Sequence, residues 1–324
     1  MPRSQTSGRP AVLAVDVGGT TMKGAVVTGD GGTLDAGHRP TGTGQEAVDA
    51  VVGYLADLSE GARARGLSVV GAGVVTPGII DERTGTVLYT SNLGWRDLPL
   101  RSLLAGATGL PVVTGHDVRA AGRAEQLFGA ARGIDDFMLV PIGTGVAAAL
   151  VTSGRPVTGR TGAAGEFGHI PVIPDGEACI CGQRGCLEVY ASGAGLARRY
   201  AAHTGERVSA RTVVARLQDD EVARAVWADA IRALALGLVT STLLLDPGVF
   251  VLGGGFTGAG EALLHPLRAA LAEGLAWRVA PPLRVAELGP EAGRIGAAAL
   301  AFEHAGMGDA VRDWSVCGDG SARV

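Results

Sequence analysis

Glu166-Phe167-Gly168-His169, followed by Cys179-Ile180-Cys181-Gly182-Gln183-Arg184-Gly185-Cys186-Leu187-Glu188, is the stretch from which the rest of the chain is read. Three of the four cysteines fall within eight positions, and His169 stands ten residues ahead of them. Three thiolates and an imidazole are the donor set of one tetrahedral zinc ion. Gly182 and Gly185 let the backbone turn tightly enough for Cys181 and Cys186 to face the same ion. The alternative is three buried or disulfide-bonded thiols. A Cys-x-Cys pair, however, is too close for easy disulfide geometry, and His169 completes the ligand set. With all four positions filled by protein, such a zinc is structural. Glu166 and Glu188 stand beside the ligands, so the metal would fix both carboxylates in space.

A chain of 324 residues makes one large or two medium domains, and 47% hydrophobic residues supply a sizeable core. The net charge of −4 and a pI near 5.9 argue against a nucleic-acid partner. No apolar run reaches the length of a membrane span without a charge, and residues 1–10 lack the apolar segment of a secretory signal. A cytoplasmic protein is expected. Lys23 is the only lysine among 28 cationic residues, which draws attention to its surroundings.

Working back to the start, residues 10–17 form a short apolar run that reads as a buried strand. It ends in Asp16-Val17-Gly18-Gly19-Thr20-Thr21-Met22-Lys23-Gly24 and leads into a second strand. Strand, glycine turn, strand is a hairpin, so neither the Walker nor the Rossmann phosphate loop is present. A glycine turn with a hydroxyl and an acid can still hold phosphate. Its backbone N–H groups form an anion nest, and Asp16 can hold Mg²⁺ through water. An ordinary hairpin turn is the competing reading. Asp-x-Gly-Gly-Thr-x-x-Lys resembles the phosphate motif of the sugar kinase, actin and Hsp70 superfamily. Residues 33–38 read as a third strand, residues 45–65 as an amphipathic helix and residues 69–76 as a buried strand.

A hairpin is expected at residues 81–89 and a loop at Asn92-Leu93-Gly94-Trp95. Then comes Gly115-His116-Asp117-Val118-Arg119, where a strand meets a helix. Asp117 falls at the expected N-cap. Capping is its plain structural role. The functional reading is a carboxylate at a strand's end that takes the proton of a sugar hydroxyl as its oxygen attacks phosphorus. A second strand–glycine–strand turn follows at Gly143-Thr144-Gly145, with strands expected over 137–142 and 146–151. Two such turns in consecutive halves suggest an internal duplication, both directed at one phosphate tail.

These motifs resemble the ROK family (repressors, uncharacterised open reading frames and sugar kinases) over residues 11–304. The resemblance rests on the turn at residues 16–23, Pro77-Gly78, Asn92-Leu93-Gly94-Trp95, His116-Asp117, Gly143-Thr144-Gly145, Glu166-x-Gly-His169 and the cysteine knot. It implies an α/β, two-lobed, ribonuclease-H-like ATP-dependent hexose kinase with a central cleft. A smaller lobe of residues 11–115 plus 294–306 and a larger, zinc-bearing lobe of residues 116–293 are expected. By the resemblance, Asp117 is the general base, and Gly78, Asn92, His116, Asp117, Glu166, His169 and Glu188 contact the sugar. His169 serves twice, with one nitrogen on zinc and the other facing the sugar. Asp16, Gly18, Gly19, Thr20, Lys23, Gly143, Thr144, Gly145, Gly254 and Gly255 face ATP and its Mg²⁺. A dimer or tetramer is implied. Family kinases commonly carry Asn-Asp where this chain has His116-Asp117. The resemblance implies glucose, phosphorylated on its 6-hydroxyl, as the first substrate. His116, bulkier than an amide and with one donor when neutral, motivates a C7-cyclitol or N-acetylmannosamine as alternatives, and polyphosphate is an alternative donor.

Regulatory members of the family carry a DNA-binding winged helix before the core, and residues 1–10 contain none. A sugar-binding regulator without catalysis is the non-enzyme alternative. In the second half, helices are expected over 190–203, 209–217, 220–245, 261–274 and 295–304. Strands are expected over 249–252 and 283–286, the first ending in Gly253-Gly254-Gly255. Residues 1–10 and 307–324 are polar and read as disordered, with Cys317 a spectator thiol.

Overall fold

Ala11-Val12-Leu13-Ala14-Val15 is fully buried and forms the middle of β1 (Pro10–Val17). A strand apolar on both faces belongs at the centre of a sheet covered on both sides. The computed structural model describes residues 8–314, which divide into two units. Unit 1 runs to Arg132 and includes Thr158–Ala164 and the chain from Glu287. Unit 2 holds Gly133–Val157 and Gly165–Ala286.

Unit 1 continues with β2 (Thr21–Thr28), β3 (Thr33–Pro40), α1 (Gly44–Ala64), β4 (Ser68–Thr76), β5 (Ile79–Asp81), β6 (Thr86–Thr90), β7 (Trp95–Leu98), α2 (Leu100–Thr108), β8 (Val112–His116) and α3 (Asp117–Phe128). Its main sheet has the order β3-β2-β1-β4-β8, with β4 and β8 parallel to β1. Side chains alternate across a strand. Accordingly Leu13, Val15 and Val17 share a core with α1 and α2, while Val12 and Ala14 face the opposite core, made by Ile295, Ala297 and Ala298 near the chain's end together with α3. β5, β6 and β7 make a separate small sheet.

Unit 2 holds β9 (Phe137–Pro141), β10 (Ala149–Thr152), β11 (Arg155–Pro156), α4 (Leu187–Ala191), α5 (Gly193–Thr204), α6 (Ala210–Ala215), α7 (Glu221–Leu245), β12 (Val249–Gly253), α8 (Glu261–Gly274) and β13 (Leu283–Val285). Its sheet order, β11-β10-β9-β12-β13, repeats that of unit 1 position for position. In both, an antiparallel hairpin is extended by two strands parallel to its first. α7 is long and apolar enough to cross a membrane by length and composition, but half of that window is buried inside the protein. The chain returns to unit 1 with α9 (Ala292–His304) and α10 (Gly308–Arg312). α9 is rich in alanine because it lies close against β4. A Cβ at Gly73 would stand 2.0 Å from the Ala297 carbonyl oxygen.

Several expectations need correction. The division between the units falls after Arg132, not after residue 115, because α3 packs against α9 in unit 1. The return begins at Glu287 rather than 294. Residues 146–148 are not strand. Val146 makes an isolated bridge to Ile142, and the Ala148 N–H donates to Gly165 instead of a neighbouring strand. The helix expected over 190–203 is two helices broken at Ser192, whose Oγ accepts from the Gly195 N–H at 2.9 Å.

The tail read as disordered from residue 307 carries α10 and Trp314. Trp314 is buried, stacks on Phe128 at 5.6 Å, meets Phe302 edge-on at 5.5 Å and donates to the Gly29 carbonyl. A large aromatic ring with a satisfied N–H outweighs the polar composition around it. Residues 1–7 and 315–324, with Cys317, lie outside the described residues.

Candidate active site

In unit 1, β1 delivers Asp16 and runs into the Gly18-Gly19-Thr20 turn. The turn is closed by the Gly18 N–H donating to Thr21 at 3.1 Å and tied to Thr41, whose Oγ1 donates to the Gly18 carbonyl at 2.8 Å. A Cβ on Gly18 would stand 2.6 Å from the Thr21 oxygen, so the turn needs glycine there. Gly19 faces Asn92, so two separately chosen motifs meet. Lys23 pairs with Asp16 across the β1–β2 ladder, and its Nζ donates to the Pro290 carbonyl. An ammonium has three donors, so this bond leaves two for a phosphate. Burial pushes the Asp16 carboxyl up to about 7, helped by the charge of Asp117 and opposed by Lys23.

His116 ends β8 and caps α3. The N-cap is His116, not Asp117 as expected. The His116 Nδ1 accepts from the N–H groups of Val118 and Arg119 at 3.2 and 3.4 Å, and Asp117 is the first helical residue. Burial, with the nearby Arg119 charge, drops the imidazole to about 3. His116 is therefore neutral, and because Nδ1 accepts, its proton sits on Nε2. Asp117 Oδ1 accepts from the Val118 N–H at 2.7 Å. Burial nonetheless pushes Asp117 up to about 6.

Gly78 has φ near 102°, and a Cβ there would lie 2.3 Å from the Tyr89 oxygen, so the backbone itself demands glycine. Four residues escaped the sequence reading. Glu82 and Arg119 bracket His116. Gly293 leaves room for Asp16, since a Cβ there would stand 2.5 Å from Asp16 Oδ2. Arg294, almost fully buried, pairs with Glu291 at 2.8 Å beside Asp16. None of the four carried a local signal in the sequence.

In unit 2 the Gly143-Thr144-Gly145 turn is closed by the Gly143 N–H donating to Gly145 at 2.9 Å. The third glycine turn lies against it. Gly254 adopts φ near 78°, a Cβ there would stand 2.3 Å from the Ile142 oxygen, and Gly255 faces open space. Glu188 reaches the same turn, where its Oε2 accepts from the Val146 N–H at 2.8 Å.

His169, Cys179, Cys181 and Cys186 converge, with one ligand atom from each lying within 4.8 Å of all the others. The Cys181 and Cys186 sulfurs are 3.6 Å apart, and Cys179 Sγ lies 3.7 Å from His169 Nδ1. Neither spacing is a disulfide. Both are close to the edge of about 3.8 Å that a tetrahedron with 2.3 Å metal–sulfur arms requires. These four residues could hold a metal ion. His169 Nε2, the nitrogen turned away, is 3.9 Å from Glu166 Oε2.

The ROK family model matches residues 12–304. The chain belongs to the ROK family. A glucokinase from Streptomyces coelicolor is 34% identical to it, over 90% of this chain and 97% of its own. A ROK-family glucokinase from Streptomyces griseus, solved with glucose and AMPPNP, superposes with a TM-score of 0.78 at 34% identity, covering 90% of this chain and 99% of its own. A ROK hexokinase from Thermus thermophilus gives 0.80 at 36% identity over 90% of this chain and 98% of its own. The two α/β units are the two lobes of the ROK fold.

Proposed function

We propose that this ROK protein transfers the γ-phosphoryl group of ATP to the primary 6-hydroxyl of a hexose, with glucose the first candidate. The observation that carries the reading is Asp117, a largely buried carboxylate that opens α3 immediately after β8 and whose proton affinity is raised to about 6. It is ionised at neutral pH yet more basic than an exposed aspartate, which suits a general base.

Asp117 takes the hydroxyl proton as the sugar oxygen bonds to phosphorus. The bond to the bridging oxygen breaks, and ADP leaves with the electron pair. Mg²⁺, when bound, neutralises phosphate charge. Asp16 is placed to hold it through water, and the three glycine turns offer N–H groups to the phosphates. Glu166, Glu188 and His169 Nε2 hold sugar hydroxyls. Zinc fits the Cys179, Cys181, Cys186 and His169 set and supplies a rigid anchor for the segment carrying Glu188. A homodimer or tetramer is part of the proposal. Leu243, Leu244 and Trp277 in unit 2 offer exposed apolar surface for it, and sedimentation tests it.

His116 favours a second reading of the acceptor. Its one free donor is Nε2–H, where an asparagine amide offers two donors and an acceptor. A C7-cyclitol or N-acetylmannosamine would then replace glucose. ADP release with Mg-ATP across glucose, mannose, N-acetylmannosamine and C7-cyclitols decides, with polyphosphate as an alternative donor. Turnover that disappears in Asp117→Ala supports the kinase. Sugar binding without turnover on any acceptor means a regulator.

A further inference from the structure

We infer that Glu82 and Arg119 form a positioning pair that sets the His116 imidazole and the Asp117 carboxylate, and through His116 the choice of acceptor hydroxyl. The inference rests on the reading of Asp117 as base and His116 as a sugar contact.

One oxygen does two jobs. Glu82 Oε1 accepts from the His116 backbone N–H at 3.2 Å and from Arg119 Nε at 2.9 Å. It thus holds the last residue of β8 and the first turn of α3 together, 34 residues away in sequence from its own hairpin. That hairpin is itself fixed, because Arg101 Nη2 donates to the Glu82 carbonyl and Arg101 Nη1 to the Arg83 carbonyl. Arg119 Nη1 donates in turn to the Gly162 carbonyl at 3.1 Å, within the Thr158–Ala164 segment that belongs to unit 1.

Stability is a poor explanation for this arginine. Its side chain is 4% exposed, and its third terminal nitrogen, Nη2, is buried without a partner. A buried donor left unmade is unfavourable, and an apolar side chain of similar volume often does as well as a buried ion pair. What the pair achieves is orientation. With the His116 backbone held, Nδ1 stays aimed at the Val118 and Arg119 N–H groups. That contact locks the proton on Nε2 and presents a single donor. Asp117 Oδ1 is kept on the Val118 N–H.

Three variants test the pair. Glu82→Gln keeps an acceptor oxygen for both donors, Glu82→Ala removes it, and Arg119→Lys cannot reach Glu82 and Gly162 together. Glu82 is one-third exposed, but Glu82→Ala leaves the buried Arg119 guanidinium without its carboxylate, so the Tm of each variant is measured beside its kinetics. ¹⁵N NMR of the imidazoles reads the His116 tautomer, with His116→Gln assigning the signal. Steady-state kinetics reads KM and kcat. The expected result is a clean Nε2–H tautomer in wild type and Glu82→Gln. In Glu82→Ala and Arg119→Lys the tautomers should be mixed, sugar KM raised about tenfold and kcat lowered less, with ATP KM unchanged. A His116 signal unchanged in Glu82→Ala overturns the inference, as does a loss of kcat that merely follows Tm. If wild type turns over no sugar, the kinase reading falls and the tautomer alone decides whether the pair positions His116.

Discussion

Burial and a helix terminus act on Asp117 in opposite directions. Burial raises its proton affinity, while the Val118 N–H and the Arg119 charge lower it, and the balance settles at about 6. A base must be unprotonated to act, so at saturating Mg-ATP, where the cation would keep Asp16 ionised despite its value of about 7, kcat/KM for the sugar should be flat above about pH 7 and fall towards tenfold per pH unit below about 6. The pH profile of kcat/KM measured from 5 to 8 checks this, and a profile flat down to 5 would remove Asp117 from the role. His116, neutral down to about pH 3, contributes no limb in that window. Gly293 offers a second test at the same scale. Gly293→Ala places a methyl group 2.5 Å from Asp16 Oδ2 and must displace that carboxylate. The variant should lose about tenfold or more in kcat/KM for Mg-ATP with a stability change of only about 1 kcal/mol. Unchanged nucleotide kinetics would mean that the position of Asp16 does not matter.

Among the elements, α4 carries the connection between chemistry and scaffold. It starts immediately after Cys186, and its second residue, Glu188, holds the Val146 N–H at 2.8 Å. A metal held by the four-residue cluster would therefore anchor both the Glu188 carboxylate and the Gly143-Thr144-Gly145 turn. Removing it with a chelator should weaken sugar binding at least about tenfold, read by calorimetric titration on protein verified metal-free. Full sugar affinity without metal would break the link.

Those elements also show why some of the molecule was legible in the sequence. The cysteine knot and the glycine turns are local in the chain, so their spacing alone singles them out. Glu82 and Arg119 are 37 positions apart, and Asp16 and Gly293 come from opposite ends of the chain. No local pattern records either meeting. Trp314 was hidden for a different reason. A single ring packing on Phe128 and Phe302 orders a tail whose average composition is polar.

The whole molecule consists of two units with the same strand order, each with its own apolar core. Separate cores predict separate cooperativity, because two-state unfolding is a property of single domains. Perturbations confined to one unit should then move one calorimetric transition. Trp314→Ala removes a buried ring in unit 1. It should cost about 3 kcal/mol, equivalent to about 6–12 °C for a unit of this size. Chelation or Cys186→Ser acts only in unit 2, where all four cluster residues lie. Differential scanning calorimetry should show two transitions, one lowered by Trp314→Ala and the other by metal loss, and the combined sample should show each shift at its single-treatment size. A single transition lowered by both treatments would mean that the duplicated units unfold as one body. Their repeated topology would then describe shared architecture without independent stability.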